Sequence, residues 1–295
     1  MHGHNPSDYA GDTNALTNIS FHEGTRLFQA SYGNVFLRGS WKAGILALDD
    51  DFMVSNYAGL FINAGFGPMP MESLNVSAPI WPIGGLGAYA HIELTETSRL
   101  QLGLYDGNAG DFSTNDDGLN NGLRDKEGAM LLLEYALVTS TLGGETIWKL
   151  GGFHNTGEQF TNFKTDATES GLSALYIVID QTISQSCGLW SRFGASLDEK
   201  VSTVGSHLDF GVVCAGPIAS RPDDQLGLGY LCTAFGYDYL RKNPDKTVTE
   251  SALELTYLAP ISDHFYLQPD LQWIFDAHKS RDDVFALGIR ASLEF

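Results

Sequence analysis

The chain has 295 residues carrying 36 acidic and 17 basic side chains, a formal net charge of -19, which excludes a nucleic-acid partner because such binding needs clustered Lys and Arg. It holds no run of the ~18 uncharged apolar residues that a membrane-crossing helix requires, so a helical membrane protein is excluded as well. With 33 glycines and 12% aromatic residues the composition suits many strands joined by tight turns. The slightly negative mean hydropathy still permits a membrane barrel, whose lumen residues and loops dilute the lipid-facing half of each strand.

In chain order, residues 1–24 are rich in Gly, Asn, Ser, Asp and His without a period and read as loop. Their start, Met1-His2-Gly3-His4-Asn5-Pro6, lacks the basic residues and apolar core of a leader, so a leader is expected to have been removed or the chain to be incomplete. The first alternating run covers 25–37, with Phe28, Ala30 and Tyr32 opposite Gln29, Ser31 and Gly33, and a turn at 38–40 leads into 41–48. Residues 49–84 break the period: they hold Asp49-Asp50-Asp51-Phe52, a run from Phe61 to Gly67, and prolines at 68, 70, 79 and 82. Alternation resumes over 85–94, 99–105, 128–138, 146–153, 171–184, 189–197, 207–215, 225–236, 249–259, 265–275 and 283–295. The last run is the clearest, with Phe285, Leu287, Ile289, Ala291, Leu293 and Phe295 on one face and Arg290, Glu294 and small residues on the other.

These are thirteen expected strands, each near the ~9–11 residues that cross a bilayer at a tilt. Short connections (38–40, 95–98, 139–145, 185–188, 216–224, 260–263) alternate with longer ones (49–84, 106–127, 154–170, 198–206, 237–248, 276–282). Short periplasmic turns alternating with long outer loops are the outer-membrane pattern, and a soluble sandwich has no reason to follow it. The expected fold is therefore all-β: a transmembrane antiparallel up-and-down β-barrel of the outer-membrane type, one domain over 1–295. The terminal strand then runs toward the short-turn side, with Phe295 and the carboxy terminus periplasmic and 1–24 outside. Single-chain bacterial barrels have an even strand number with both ends periplasmic, so an odd number of amino-terminal strands is expected to be missing. Three would complete a barrel of sixteen, and the closing partner of the terminal strand would be among them.

Several stretches resemble one family in order along nearly the whole chain: Gly11-Asp12 with Thr17-Asn18-Ile19, Thr25-Arg26-Leu27, Ala43-Gly44, and Tyr57-Ala58-Gly59-Leu60 running on to Gly67. Lys149-Leu150-Gly151-Gly152-Phe153-His154-Asn155, Arg221-Pro222-Asp223-Asp224, Glu254-Leu255-Thr256-Tyr257 and Leu267-Gln268-Pro269-Asp270-Leu271-Gln272-Trp273-Ile274 continue the likeness. Together they resemble the carbohydrate-selective porins of the OprB type. That resemblance implies a sixteen-stranded barrel and passive diffusion of small sugars.

A sugar pore needs no nucleophile or cofactor and no metal; it needs fixed donors and acceptors in a wet lumen. Alternation places Lys42, Glu93, Arg99, Glu134, Arg192, Glu254, Gln268, Asp270, Gln272, Arg290 and Glu294 inward, with Gln29, Tyr89, Gln101, Glu250 and Tyr266 beside them. A mid-depth Arg on the lipid face costs ~2–4 kcal/mol, which argues for the inward direction. Each such charge either contacts substrate or braces the wall through ion pairs. The stretch 49–84 is too apolar for an outer loop and is expected to fold inward as a constriction. There Asp49, Asp51, Phe52, Phe61, Asn63 and Phe66 are candidates for stacking on and hydrogen-bonding a sugar, or else for plain packing.

Other signals are weaker. Asn108, Asp111, Asn115, Asp116, Asp117, Asn121 and Asp125 lack the EF-hand spacing and read as a solvated loop, and His2 and His4 read as an incidental pair. Cys187, Cys214 and Cys232 cannot all pair and fit no metal spacing; Cys214 and Cys232, on neighbouring expected strands, read first as small lipid-facing residues. Tyr135, Trp148, Tyr257, Phe265, Trp273 and Phe295 suit the aromatic girdles of a barrel. The expected partners are small sugars and outer-membrane lipid, with self-association left open. The alternatives are a general or cation-preferring porin, supported by the net charge, a lipase-type barrel enzyme, and a soluble sandwich. The enzyme would need a Ser-His pair, and spacing along the chain offers no His to Ser173, Ser191 or Ser292.

Overall fold

A computed structural model describes residues 4–20, 24–110, 115–121, 124–278 and 282–294; His2, Asp111 and Phe295 lie outside them. The alternating runs form β1 (Ala30–Phe36), β2 (Gly39–Leu46), β3 (Gly85–Glu93), β4 (Ser98–Asp106), β5 (Ala129–Thr141) and β6 (Gly144–Asn155). A two-stranded ribbon, β7 (Phe160–Thr161) with β8 (Thr168–Glu169), follows in a long loop. The wall continues as β9 (Leu172–Thr182), β10 (Cys187–Ser196), β11 (Val204–Ala215), β12 (Gln225–Phe235), β13 (Thr249–Ser262), β14 (Phe265–Phe275) and β15 (Val284–Leu293). Apart from the ribbon, these make one 13-stranded antiparallel sheet in chain order, with β6 joined directly to β9. Its two edges are β1 and β15, and all seven residues of β1 are exposed.

One boundary differs from the sequence reading. The first strand begins at Ala30 rather than at 25. The backbone before it is engaged elsewhere: the Leu27 N–H donates to the Asp117 carbonyl at 2.8 Å. Gln29 is accordingly no wall residue, and its amide donates to Asp50 at 2.6 Å.

The two faces of the sheet differ as alternation requires. Leu102, Leu133, Leu150, Leu175, Phe193, Leu255 and Trp273 point outward and are exposed, several by about half of their surface or more. So continuous an apolar band is far larger than the few hundred Å² a soluble monomer exposes, and it is the surface that lipid covers. Tyr135 and Trp148 are on it too. The inner face carries Gln101, Glu134, Asp180, Arg192, Asp209 and Glu254, all buried. Charges buried on the inside of a sheet need partners, and the segment between β2 and β3 supplies them.

Register settles the cysteines. Cys187 and Cys214 are direct cross-strand partners on β10 and β11 and form a disulfide. Cys214 faces Leu226 on its other side, whereas Cys232 faces Leu208 and is free. The first and second cysteines pair, instead of the second meeting the third, because β11 and β12 bring Cys214 and Cys232 to different heights. By strand alternation all three are on the outer face.

Candidate functional site

Residues 47–84 fold back over the inner face of the wall. A 3-10 turn at Leu48–Asp50 starts the descent, further turns at Ala58–Leu60 and Ala64–Phe66 keep the chain compact, and a short helix at Pro70–Ser73 reverses it. The rings of this segment press on the wall: Phe52 meets Tyr89 and Tyr105 edge-on at 5.7 and 6.4 Å, and Phe61 meets Trp190 at 4.8 Å. Wall glycines leave the room they need. A Cβ on Gly188 would come within 1.9 Å of the Tyr57 ring, and one on Gly229 within 2.8 Å of Phe61.

Polar side chains of the wall then clasp the backbone of the segment. Glu134 accepts from the Met53 N–H at 3.0 Å, and Asp180 accepts from the Asn56 N–H at 2.9 Å and the Ser55 hydroxyl at 2.5 Å. Lys149 donates to the Val54 carbonyl at 2.5 Å. Glu254 accepts from the consecutive N–H groups of Ile62 and Asn63 at 2.6 and 2.9 Å. Gln268 donates to the Leu60 carbonyl at 2.7 Å, and Gln272 accepts from the Asn63 side chain at 3.0 Å.

Arg192 sits at the centre. Its Nε donates to both oxygens of Asp209, at 3.1 and 3.0 Å, while the terminal nitrogens donate to the carbonyls of Phe66 (2.7 Å) and Gly67 (2.8 Å). Asp209 also accepts from Trp190 at 2.6 Å and contacts His207 at 3.0 Å. The guanidinium is thus balanced by one carboxylate and spends its remaining donors on the segment. Sequence reasoning missed Asp209, His207 and Asp180, although the same period-two count that found Arg192 places them inward.

The remaining candidates fall into two groups. Lys42 pairs with Asp51 at 2.8 Å, and burial raises the Asp51 carboxyl despite that lysine. Arg99 pairs with Glu93 at 2.6 Å near the short-turn end, where both are half-exposed. Asp270 accepts from Gln272 at 2.8 Å, Arg290 bonds Asn18, and Glu294 is exposed. Phe52, Phe61, Phe66 and Asn63 are each at most 1% exposed, so they pack between segment and wall and present no open face. Of the aromatic residues in 49–84, Trp81 is the most exposed at 37%, while Tyr57 is partly buried. Burial, with repulsion from Asp50 and Asp51, pushes the Asp49 carboxyl up to about 6 against the hydrogen bond it accepts from the Trp81 N–H. Glu72, fully buried, is raised well above the usual carboxylate range by burial first and by Asp49 second.

Two cavities flank the returning arm of the segment. One of about 660 Å³ is lined by 73–78 and 80–83 together with Asn108, Gln159 and Phe160; another of about 480 Å³ lies between 13–15 with 17–20 and residues Asp49, Pro68, Leu74 and Trp81.

Cross-strand register also brings together a pair that spacing does not show. His154 and Ser173 are direct partners on β6 and β9, with Nδ1 2.9 Å from the hydroxyl oxygen. They lie 19 positions apart in the chain, which is why the linear reading found no histidine for Ser173.

An antiparallel wall, apolar outside and polar inside, with a loop clasped within it, defines a β-barrel channel of the outer-membrane class. The chain belongs to the carbohydrate-selective porin, OprB family, which matches residues 2–295, a family of channel proteins and not of enzymes. It is 25% identical over 292 residues to "Putative porin QuiX" of Acinetobacter baylyi, a match covering 86% of this chain and 65% of that relative's length. Among solved structures it resembles Pseudomonas putida OprB at high pH, with a TM-score of 0.85 at 17% identity over 95% of this chain and 76% of that one. The low-pH structure of the same protein gives 0.57 at 16% identity, over 92% and 67% of the two chains. The Acinetobacter baumannii channel DcaP gives 0.54 at 13% identity, over 88% and 74%. These likenesses concern the fold.

Proposed function

We propose that the protein is a porin for passive, carbohydrate-selective diffusion of small sugars, with residues 49–84 as its constriction and the carboxy terminus periplasmic. Family membership supports the substrate class. The observation that carries the reading is the clasp of Arg192 on Phe66 and Gly67, which explains how a loop can stand in a wet lumen without being flushed aside. In this reading the wall charges set the position of the constriction, and the faces left open beside it meet the solute. The sheet edges at β1 and β15 carry backbone groups that lipid cannot satisfy, so both edges are covered in the working channel.

The test is reconstitution of the protein in planar bilayers and liposomes. Neutral hexoses should enter liposomes and reduce the ionic current at millimolar concentration; an open channel that sugars neither cross nor block would overturn the proposal. A second reading, a cation-preferring general porin, is favoured by the net charge of -19 and by Asp49 and Asp50 in the descending turn. A reversal potential strongly on the cation side with no sugar block would establish it instead.

A further inference from the structure

The two cavities share one boundary. Trp81 lines both, together with Ser73, Leu74 and Ile80, and it is the one large ring of 49–84 that remains substantially exposed. Its backbone N–H donates to the two oxygens of Asp49 at 3.3 and 3.2 Å, which fixes that carboxylate against the backbone of the residue carrying the indole, and both residues line one cavity. The carboxylate keeps free lone pairs on both oxygens, since one shared N–H does not saturate them, and Asp49 itself lines the 480 Å³ cavity.

An aromatic face next to a fixed bidentate acceptor is the chemistry that recognises a pyranose. The ring's axial C–H face is apolar and stacks on indole, while a pair of neighbouring equatorial hydroxyls donates to the two carboxylate oxygens. The surroundings fit: Pro68, Leu74 and Ile80 are apolar, as is common where a few polar groups orient a ligand. Asp49 also sets a sign. With Asp50 next to it and Lys42 committed to Asp51, a second carboxylate on the solute would be repelled.

We propose that Trp81 and Asp49 form a sugar-binding step between the two cavities, selective for neutral pyranoses over their carboxylate derivatives. This rests on the porin reading above. The step is a brief resting place, since a binding site in a pore must release as readily as it takes up.

The experiment is current-fluctuation analysis of sugar block on the protein in planar bilayers, with glucose and glucuronate as probes. Trp81→Ala should weaken glucose block about tenfold and Trp81→Phe about threefold, magnitudes typical of a lost or shrunken aromatic contact. Asp49→Asn should let glucuronate block approach that of glucose. A second readout guards against misfolded variants. Trp190 is buried and Trp41, Trp148 and Trp273 point outward, so glucose should perturb intrinsic fluorescence in the parent protein and lose that effect in Trp81→Phe. If the parent channel is sugar-blocked and Trp81→Ala is blocked equally, the step is elsewhere while the porin reading survives. If the parent conducts ions but sugars neither cross nor block it, the porin reading itself fails.

Discussion

The guanidinium of Arg192 donates to the carbonyl oxygen of Phe66 at 2.7 Å, across 126 positions of chain. One wall side chain on β10 thereby holds the turn that follows the Phe61 ring, with Asp209 balancing its charge. The residue most easily taken for a solute contact is 2% exposed and faces backbone. Its role is to fix the height and depth of the inner segment.

Arg192→Met should therefore free the segment. Removing one partner of a buried ion pair costs about 3–5 kcal/mol because Asp209 is left uncompensated. Urea unfolding in detergent should show that loss, and single-channel recordings should show a larger, noisier conductance. A quiet channel of unchanged conductance would mean that the segment does not limit the pore.

Glu254 holds the same segment from the far side through Ile62 and Asn63. Because both clasps position one stretch of chain, Arg192→Met and Glu254→Gln should not add. A double-mutant cycle on conductance and on unfolding should reveal a coupling of about 0.5–3 kcal/mol, whereas simple additivity would mean that the two clasps hold independent pieces.

Gly188→Val tests packing without touching charge. The new Cβ would meet the rigid Tyr57 ring at 1.9 Å, so the segment must shift, at a cost of about 1–3 kcal/mol for overpacking. Thermal unfolding should report the loss, and Tyr57→Ala in the same background should restore most of it.

The Asp49 carboxyl, raised from 3.8 to about 6, predicts a pH response whose sign is fixed by that direction. The folded protein disfavours the ionised form, so the destabilisation is fully present above the folded value and is relieved as pH falls through it. The negative charge disappears over the same interval. Cation preference measured by reversal potential should fall between about pH 7 and pH 5, and Asp49→Asn should make that fall smaller. Asp50 and Asp51 add to the upward shift by repulsion, and Lys42 pairs with Asp51.

Reducing the Cys187–Cys214 disulfide should leave conductance unchanged, since the bond is on the outer face of the wall. A loop of 27 positions predicts a stability loss of roughly 3–4 kcal/mol on the chain-entropy account. Dithiothreitol during thermal unfolding would measure it, with Cys187→Ser and Cys214→Ser together as the matched control.

Much of the wall was legible as pattern. Phe285, Leu287 and Ile289 against Arg290 announce a strand with lipid on one side and water on the other, and the turn lengths state its up-and-down order. Thr25 to Gln29 alternate as a strand does, while the Leu27 N–H is engaged by a neighbouring loop at Asp117. Among the candidate site residues, Arg192, Glu134 and Glu254 were correctly turned inward, yet nothing in the pattern says what they meet.

The sequence by itself determined which side of each strand faces lipid, since a period of two and the cost of a charge in hydrocarbon leave one arrangement. Tertiary structure alone decided the partners. Glu134 reaches Met53 across 81 positions and Glu254 reaches Ile62 across 192, and a one-dimensional period carries the direction of a side chain but no information about chain that returns from so far away.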